Sequence, residues 1–300
     1  MNKSNTKKHS FLLASVLLLS ALLGGCNIRE DNTDCPRPFR LFVKAIDIDL
    51  QDITDSGEVE SVSLFVYNEL GELIQAIELD ANHIKSRKPI AIEIPYPGFK
   101  SLSFVAWGNV NDQVSFDKSN LGVTLKNSAE GVANSPSDLF YGTLNVGLEY
   151  GGLEYAGDQT IVISRKTSQV VITANGLKQW NGNKEGVYSY RIFESHNSYN
   201  GNGELFGNMV SYKPNSQLDS NGNMVASLFR TFPTTDNKTY TLEILFNGEV
   251  IYTATKGTDG KPFVPQVGRV LNIFLEFTSQ ISIQVMVTPW NVVHQFVTIG

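Results

Sequence analysis

The chain has 300 residues, of which 41% are hydrophobic and 18% are charged, and its mean hydropathy is −0.12. These values fit one large globular domain or two of ordinary size, and they exclude a disordered polyelectrolyte and a polytopic membrane protein. The formal net charge of −6 argues against a nucleic-acid partner, and two cysteines are too few for a disulfide framework or a cysteine-rich zinc site.

The start of the chain has the organisation of a secretion signal. Lys3, Lys7 and Lys8 form a basic segment, and residues 11–23 form an apolar one. An apolar stretch of 13 residues is too short to cross a hydrocarbon core of about 30 Å as a helix. The pattern is therefore typical of a cleaved signal and not of an anchor helix.

The signal ends in Leu23-Gly24-Gly25-Cys26, which resembles the lipobox of bacterial lipoproteins. We predict a signal peptide at residues 1–25, cleavage between Gly25 and Cys26, and covalent diacylglycerol and acyl (palmitate) lipid at Cys26, whose thiol accepts the lipid as a thioether. The alternative is an ordinary cleavage site beside a chance cysteine. The signal carries three lysines and no acidic residue, so cleavage takes the net charge from −6 to −9. The acyl chains must then supply the membrane attachment, at roughly 0.8 kcal/mol for each buried methylene.

Residues 26–38 are polar and predict a lipidated tether, after which alternating apolar residues indicate β-strands. A turn at residues 68–71 predicts a hairpin, and residues 110–137 hold turn formers with one weak strand at residues 123–125. The other strands predicted in this half lie at residues 39–45, 59–67, 73–79, 90–94, 102–107, 139–146, 160–163 and 169–173.

The polar stretch at residues 175–186 predicts a domain boundary, and Asn247-Gly248 predicts a second hairpin. The strands predicted beyond the boundary lie at residues 187–193, 225–232, 239–246, 249–255, 270–277, 281–287 and 292–299. No segment keeps a helical period over three turns. We therefore predict an all-β fold of two tandem β-sandwich domains, at residues 39–178 and 179–300.

A set of short motifs resembles the FimB-like fimbrial anchor lipoproteins of the Bacteroidales, which are relatives of the fimbrillins of type V pili. Ala106-Trp107-Gly108-Asn109 is the most specific motif, and the order and spacing of the whole set carry the resemblance. The other motifs are the lipobox at Cys26, Asp34-Cys35-Pro36, residues 62–67 with Gly71, Asp138-Leu139-Phe140-Tyr141-Gly142, Arg165 with residues 169–172, and Pro289-Trp290. Asn68 is a small departure, since the family more often has Asp there.

The resemblance implies transthyretin-like sandwiches and a role as anchor or minor subunit of a surface fimbria, with fimbrillin subunits as partners. It also implies assembly by β-strand addition, in which an extended segment completes a neighbour's sheet. The candidate segment for strand exchange carries Ile281, Ile283, Val285 and Val287, with residues 292–299 behind it. The alternative, which we favour, is that these residues are the last strands of the C-terminal sandwich.

The residues after Cys26 favour the outer membrane and exposure at the cell surface. Asn27 stands where an Asp would resemble an inner-membrane retention signal. Arg29-Glu30-Asp31 looks like the surface-export signal of Bacteroidales lipoproteins, although acidic residues in a linker are also explained by solvation alone.

A cell-surface module that binds glycans or acts as an adhesin is the alternative function. Trp180 lies in the polar stretch and is a candidate for stacking on a sugar. A Trp that fills an interface is the interpretation we favour, because Trp is rarely left fully exposed. We interpret Trp107 and Trp290 as packing residues.

The sequence contains none of the common catalytic motifs of hydrolases, metalloproteases or nucleotide-binding proteins. Glu194-Ser195-His196 resembles a triad only in sequence order, and we predict a surface ion pair between Glu194 and His196 on one strand face. Two oxygen-rich runs, at residues 200–204 and 219–223, are interpreted as turns and not as calcium loops. We expect no catalytic residue, no metal site and no cofactor besides the lipid, and a buried thiol at Cys35.

Overall fold

The computed structural model describes residues 39–94, 98–148, 158–235 and 238–294, and most of them lie in β-strands. The strands before residue 166 are β1 (Arg40–Ile46), β2 (Ser61–Asn68), β3 (Leu73–Asp80), β4 (Ile90–Ala91), β5 (Ser101–Gly108), β6 (Val114–Asp117), β7 (Gly122–Leu125), β8 (Asn127–Ala129), β9 (Val132–Ala133), β10 (Phe140–Gly147) and β11 (Asp158–Arg165).

The later strands are β12 (Ser168–Asn175), β13 (Tyr188–Tyr199), β14 (Leu205–Tyr212), β15 (Ser216–Leu218), β16 (Met224–Thr231), β17 (Thr241–Phe246), β18 (Glu249–Ala254), β19 (Arg269–Phe277) and β20 (Ile281–Pro289). The helices are short: α1 (Ala81–Lys85), α2 (Leu177–Trp180) and one 3₁₀ turn at Thr54–Ser56. The predicted all-β fold class is confirmed. No helix among the described residues is long and apolar enough to cross a membrane.

The first sheet has seven strands in the order β3-β2-β5-β10-β11-β1-β4. Its strands are antiparallel to their neighbours except that β1 runs parallel to β11. Alternate side chains of these strands are buried together and form a first hydrophobic core, which includes Leu41, Leu64, Phe104 and Ile163. This first core accounts for the alternating apolar residues of β1, β2 and β5.

Two further sheets share a second hydrophobic core. One has five strands in the order β15-β16-β12-β19-β20, and the other has the order β18-β17-β13-β14-β9-β8, with β7 also paired to β13. Ile172 and Ile273 reach this core from the five-stranded sheet, and Tyr190 and Ile244 reach it from the other sheet. The second core is therefore built between two facing sheets.

The sheets differ from the sequence predictions in several places. The region at residues 110–137, predicted to hold turns and one weak strand at residues 123–125, supplies β6 to β9, and β7 contains the predicted strand. β7 and β9 pair with β13 and β14. β14 and β15 lie where no strand was predicted, and β13 continues beyond its predicted end at residue 193. The strand predicted at residues 90–94 is only two residues long. The predicted domain boundary between residues 178 and 179 stays a prediction; β12, which precedes it, pairs with β16 and β19.

The two predicted hairpins form, and local side-chain chemistry explains the first of them. The Asn68 side-chain oxygen accepts the backbone N–H groups of Leu70 at 3.0 Å and Glu72 at 2.9 Å, so Asn provides the acceptor that Asp would provide. In the second hairpin, Asn247 and Gly248 both have positive φ, at 52° and 87°. Those angles are typical of the two-residue turn that matches strand twist.

Candidate functional site at the junction of the two cores

Strands β5 and β10 contribute side chains to both cores. Phe104 of β5 and Phe140 of β10 lie in the first core, whereas Trp107 and Tyr141, which are paired across the two strands, lie in the second. Successive side chains of a strand point to opposite faces, so a sheet placed between two cores must be apolar on both. This explains why residues 106–107 and 139–141 within the two motifs are continuously apolar.

Trp107 is fully buried and fixes the first of these motifs to the second core. Its indole N–H donates to the carbonyl oxygen of Leu121 at 2.8 Å, and its ring lies 4.7 Å from the ring of Tyr141. The Tyr141 hydroxyl in turn donates to the carbonyl of Gly201 at 2.7 Å. The interpretation of Trp107 as a packing residue is confirmed.

Gly142 follows Tyr141 in β10 and has no space for a side chain. A Cβ atom at this position would overlap the carbonyl oxygen of Val162 in β11. Glycine is therefore required here because a neighbouring backbone approaches closely, and not because of an unusual backbone angle.

Arg165, at the end of β11, is the buried cation of the junction. Its guanidinium carbon lies 5.0 Å from the ring centre of Phe140 and 4.5 Å from that of Trp290, so it contacts an aromatic ring on β10 and one just after β20. Arg165 Nε donates to Asp138 Oδ2 at 3.0 Å, and an Nη nitrogen is paired with Glu58. The cation therefore links four segments that are far apart in the sequence.

The electrostatics of this cluster follow from its burial. Burial lowers the pKa of Arg165 to about 10, which leaves the guanidinium charged at neutral pH. Burial also raises the pKa of Asp138 to about 7, and the positive charge of Arg230 and the Thr167 hydroxyl both act against that rise. The Arg165–Asp138 hydrogen bonds favour the ionised carboxylate as well, so each charge of the pair depends on the other.

Asn109 holds two of the acidic segments in place. Its backbone is in the left-handed region, with φ at 59°, and its side chain accepts the N–H of Glu60 at 2.7 Å. The side-chain amide donates to the carbonyls of Glu58 at 2.7 Å and Asp138 at 2.9 Å. The motif at residues 106–109 thus positions both carboxylates that face Arg165.

The turn after β20 is attached to β12 by a pair of amides. Gln169 Nε2 donates to Asn291 Oδ1 at 2.8 Å, and the Asn291 backbone N–H donates to Gln169 Oε1 at 3.0 Å. Trp290 is half-buried, and Arg165 is stacked on its ring. Two polar clefts of about 530 and 460 Å³ open beside this turn, and both are lined by Gln113, Ser135, Arg230 and Asn291.

Strand β20, the candidate for strand exchange, is paired with β19 along its whole length. Ile283 and Val285 are buried in the second core, Ile281 is half-buried and packs against it, and Val287 is 40% exposed. In the structure, β20 is thus the last strand of its own sheet, which is the alternative that we favour from the sequence. Its role in strand exchange stays a prediction.

The outer edge of β20 is covered at one end and open at the other. Ile283 donates its backbone N–H to Thr258 Oγ1 at 2.7 Å and accepts the Thr258 N–H at 2.9 Å. Because hydrogen-bonding direction alternates along an antiparallel strand, the backbone groups of Val285 and Val287 also point away from β19. Within the part of the chain that the structure describes, no backbone group pairs with these two residues on that side.

Trp180, the candidate for sugar stacking, lies at the end of α2 and is 38% exposed. Its ring centre is 4.9 Å from that of Phe277 and 6.2 Å from that of Tyr252. Trp180 therefore caps an aromatic cluster of the second half, and its glycan role stays a prediction. Gly25, Cys26 and Cys35 lie outside the described residues, as do residues 295–300 of the last predicted strand, and residues 292–294 are not in a strand.

The predicted Glu194–His196 ion pair is wrong. Glu194 sits at a β-bulge with φ at 90°, and the bulge breaks the alternation that would have put the two side chains on one face. His196 Nδ1 instead makes a 3.0 Å hydrogen bond with the carbonyl of Gly207, and the buried Ser195 hydroxyl donates to the carbonyl of Phe232. Among the described residues, no three His, Cys, Asp or Glu side chains are grouped to hold a metal ion.

Comparison with known proteins points in the same direction as the motifs. The profile of the family described as fimbrillin-A associated anchor proteins Mfa1 and Mfa2 matches residues 32–296. The major fimbrium anchoring subunit FimB of Porphyromonas gingivalis W83 is 38% identical over 303 residues, which cover 97% of this chain and 99% of that protein.

Solved structures share the fold at low sequence identity. The fimbrial anchor protein Mfa2 of Porphyromonas gingivalis superposes with a TM-score of 0.60 at 15% identity, over 84% of this chain and 98% of that one. A Bacteroides thetaiotaomicron protein described as a candidate polysaccharide-binding protein gives 0.63 at 19% identity, over 84% and 96%. The profile and the FimB identity confirm the resemblance drawn from the motifs: this chain belongs to the family of fimbrillin-A associated anchor proteins.

Proposed function

We propose that this protein anchors a surface fimbria to the outer membrane as a lipoprotein without enzymatic activity. The observation that carries the proposal is the 38% identity, over nearly the full length of both chains, to a protein described as a fimbrium anchoring subunit. The fold supports it, because β1 is built into the first sheet between β11 and β4 and so connects the start of the chain to the body.

The membrane attachment in this proposal is the lipid on Cys26. Phe39 follows Cys26 by 13 residues, so at roughly 3.3 Å per residue the body stands at most about 43 Å from the lipid. Tension on a fimbria would then pass through this short tether into β1.

The fimbrial partner in this proposal binds the outer edge of β20 by strand addition. Val285 and Val287 offer outward-facing backbone groups there, and the neighbouring side chain of Met286 is 39% exposed. An incoming strand gains backbone hydrogen bonds from the edge and specificity from alternate side chains. The cover at Ile283 restricts pairing to the C-terminal half of the strand.

Release from the membrane tests the anchoring role. Cys26→Ala should move the protein, and the fimbriae it holds, from the outer-membrane fraction into the medium. Cys35→Ala is the matched control, since it removes a thiol from the same tether without touching the predicted lipid site. Fimbriae that stay on Cys26→Ala cells would refute the anchor role.

Edge pairing has its own test. Val287→Pro removes an N–H that faces away from β19, so β20 should keep its place in its own sheet while an incoming strand loses a hydrogen bond. Val287→Thr is the control, because it keeps the N–H. Pull-down from intact cells should recover fewer fimbrillin subunits with the proline variant only; equal recovery with both would exclude this edge.

Glycan binding through Trp180 is the second candidate function, and the observation that favours it is the exposed part of the Trp180 ring beside Tyr252. An aromatic ring offered to solvent can stack on the apolar face of a sugar. Retention on a glycan array that is lost in Trp180→Ala, and kept in the fully buried control Trp107→Phe, would establish it.

A further inference from the structure

Strand β1 is held in the first sheet mainly by one partner. It pairs with β11 in parallel over seven residue pairs, from Arg40 with Asp158 to Ile46 with Ser164. On its other side it pairs with β4 at only two positions. The parallel ladder with β11 is therefore the principal connection between the start of the described chain and the rest of the body.

The two ends of this ladder contact different parts of the molecule. At the first end, Arg40 Nε and Nη2 donate to the two carboxylate oxygens of Asp158 at 2.8 and 3.0 Å, and Arg40 follows the predicted tether by two residues in the sequence. At the other end, Arg165 stacks on Trp290, which directly follows β20. Seven residues of strand span about 20 Å, so Arg40 and Trp290 lie at opposite ends of the β1–β11 pair.

We propose that tension between the membrane tether and a fimbria bound at β20 loads β1 in shear against β11. The tether pulls β1 toward its own start, while the partner pulls the opposite end of β11 through Arg165 and Trp290. In this direction the hydrogen bonds of the ladder must break together, whereas a strand peeled sideways would lose them one at a time. This inference rests on the proposed anchoring function for its biological meaning.

Side-chain packing opposes the sliding of β1 as well. Leu41, Val43 and Ala45 are buried in the first core, and a shift by one residue would turn this face outward. The Ala45 N–H donates to Thr54 Oγ1 at 2.9 Å, and the Ala45 carbonyl accepts the Ile53 N–H at 2.9 Å. The backbone groups of Ala45 thus form hydrogen bonds on the side of β1 that faces away from β11. Because this direction alternates along a strand, the backbone groups of the even-numbered residues of β1 are the ones that face β11.

Single-molecule force spectroscopy on the mature chain, held by tags at its two termini, tests the proposal. Lys44→Pro removes an N–H that faces β11 at a half-buried position, so the variant should unfold about fivefold faster at constant force, the effect of one lost hydrogen bond. The first unfolding step in this experiment is the separation of β1 from β11. Ile244→Val, a conservative change in the second core, should leave the rate of that step unchanged.

A second pulling geometry removes β1 from the path of the force. The chain is held at residue 162, whose side chain is 41% exposed on β11, and at the C-terminus. Lys44→Pro should then unfold at the rate of the unmodified protein. Equal acceleration in both geometries, or no acceleration with terminal tags, would overturn the proposal.

A disulfide provides a test that does not depend on how well the proline variant folds. Lys44 and Val162 are register partners, and adjacent strands place Cα atoms within disulfide reach. Lys44→Cys/Val162→Cys, with Cys26 and Cys35 replaced by Ser, should lose the first unfolding step when oxidised and regain it when reduced. A step that persists after oxidation contradicts the shear path. Fimbriae retained by Cys26→Ala cells would instead contradict the anchor role and leave the mechanical result standing.

Discussion

Removing Arg165 should destabilise the protein far more than removing a comparable exposed arginine. Arg165 and Asp138 have side-chain exposures of 3% and 9%, so Arg165→Met leaves a buried carboxylate without its partner. Breaking a buried ion pair in this way costs about 3–5 kcal/mol. At about 2–4 °C per kcal/mol for a chain of this size, the melting temperature should fall by about 6–20 °C.

Arg40→Met is the matched control, because Arg40 also forms a two-pronged ion pair, with Asp158, but both side chains are about half exposed. That change should cost about 0–1 kcal/mol. Urea unfolding followed by circular dichroism gives both values.

A double-mutant cycle with Asp138→Asn separates the ion pair from other effects. The double variant should lose less stability than the sum of the two single losses, by about 0.5–3 kcal/mol, since it leaves no Asp138 carboxylate unpaired. Strict additivity, or a loss at Arg165 no larger than that at Arg40, would refute the argument that the cation stabilises the junction through Asp138.

Three further outcomes are expected. Gly142→Ala should destabilise the protein by about 1–3 kcal/mol in urea unfolding, because the new methyl group overlaps the Val162 carbonyl. Trp107→Phe should cost about 1–3 kcal/mol by the same measurement, because the carbonyl that accepts the indole N–H is left buried and unpaired. Hydrogen bonds from Arg87 hold the pKa of Asp52 well below its usual value, so this pair contributes stability above about pH 4 that is lost on further acidification. Asp52→Asn should therefore flatten the pH dependence of unfolding below about pH 4, by about 1 kcal/mol at most because the pair is partly exposed.

The strands with strict alternation were predictable from the sequence, because their side chains divide between a core and solvent or between two cores. β1 is of this kind, with Leu41, Val43 and Ala45 buried and the residues between them less buried, and the Asn247-Gly248 turn fixes one of the hairpins without tertiary information. In these elements, the conformation that the local sequence favours is also the one that buries the apolar side chains.

β14 was not predictable in the same way. Its first five residues are half-buried or exposed, Gly207 interrupts it with φ at 90°, and its apolar side chains Phe206 and Met209 face solvent. The strand exists because it pairs with β13 on one side and with β9 on the other. β9 is distant in sequence from β14, and such a partner leaves no periodic pattern in the strand. β6 and β8 pair with the next strand along the chain, β7 and β9, and these two strands in turn pair with the distant β13 and β14.

The junction shows a similar limit. The motifs could be recognised in order, but nothing in the sequence places Trp290 against Arg165, or Asn109 against Asp138. The available signal was weak, because Arg165 follows an apolar run at residues 161–163 but is itself surrounded by Ser164 and the polar residues 166–169. A buried arginine needs a carboxylate or an aromatic ring as a partner, and the sequence does not name that partner.

The buried ion cluster also bears on why the junction is charged at all. Apolar side chains of similar volume often stabilise a core as well as a buried ion pair does, so stability alone is a weak reason for Arg165 and Asp138. Contacts between charged groups are directional, whereas apolar contacts are not. The planar Arg165 guanidinium therefore fixes one arrangement of Asp138, Phe140 and Trp290 around it. A junction that transmits tension from β11 to the end of β20 needs that fixed arrangement more than it needs additional stability. An apolar replacement of the whole cluster should consequently retain the melting temperature better than it retains the resistance to force applied between the two termini.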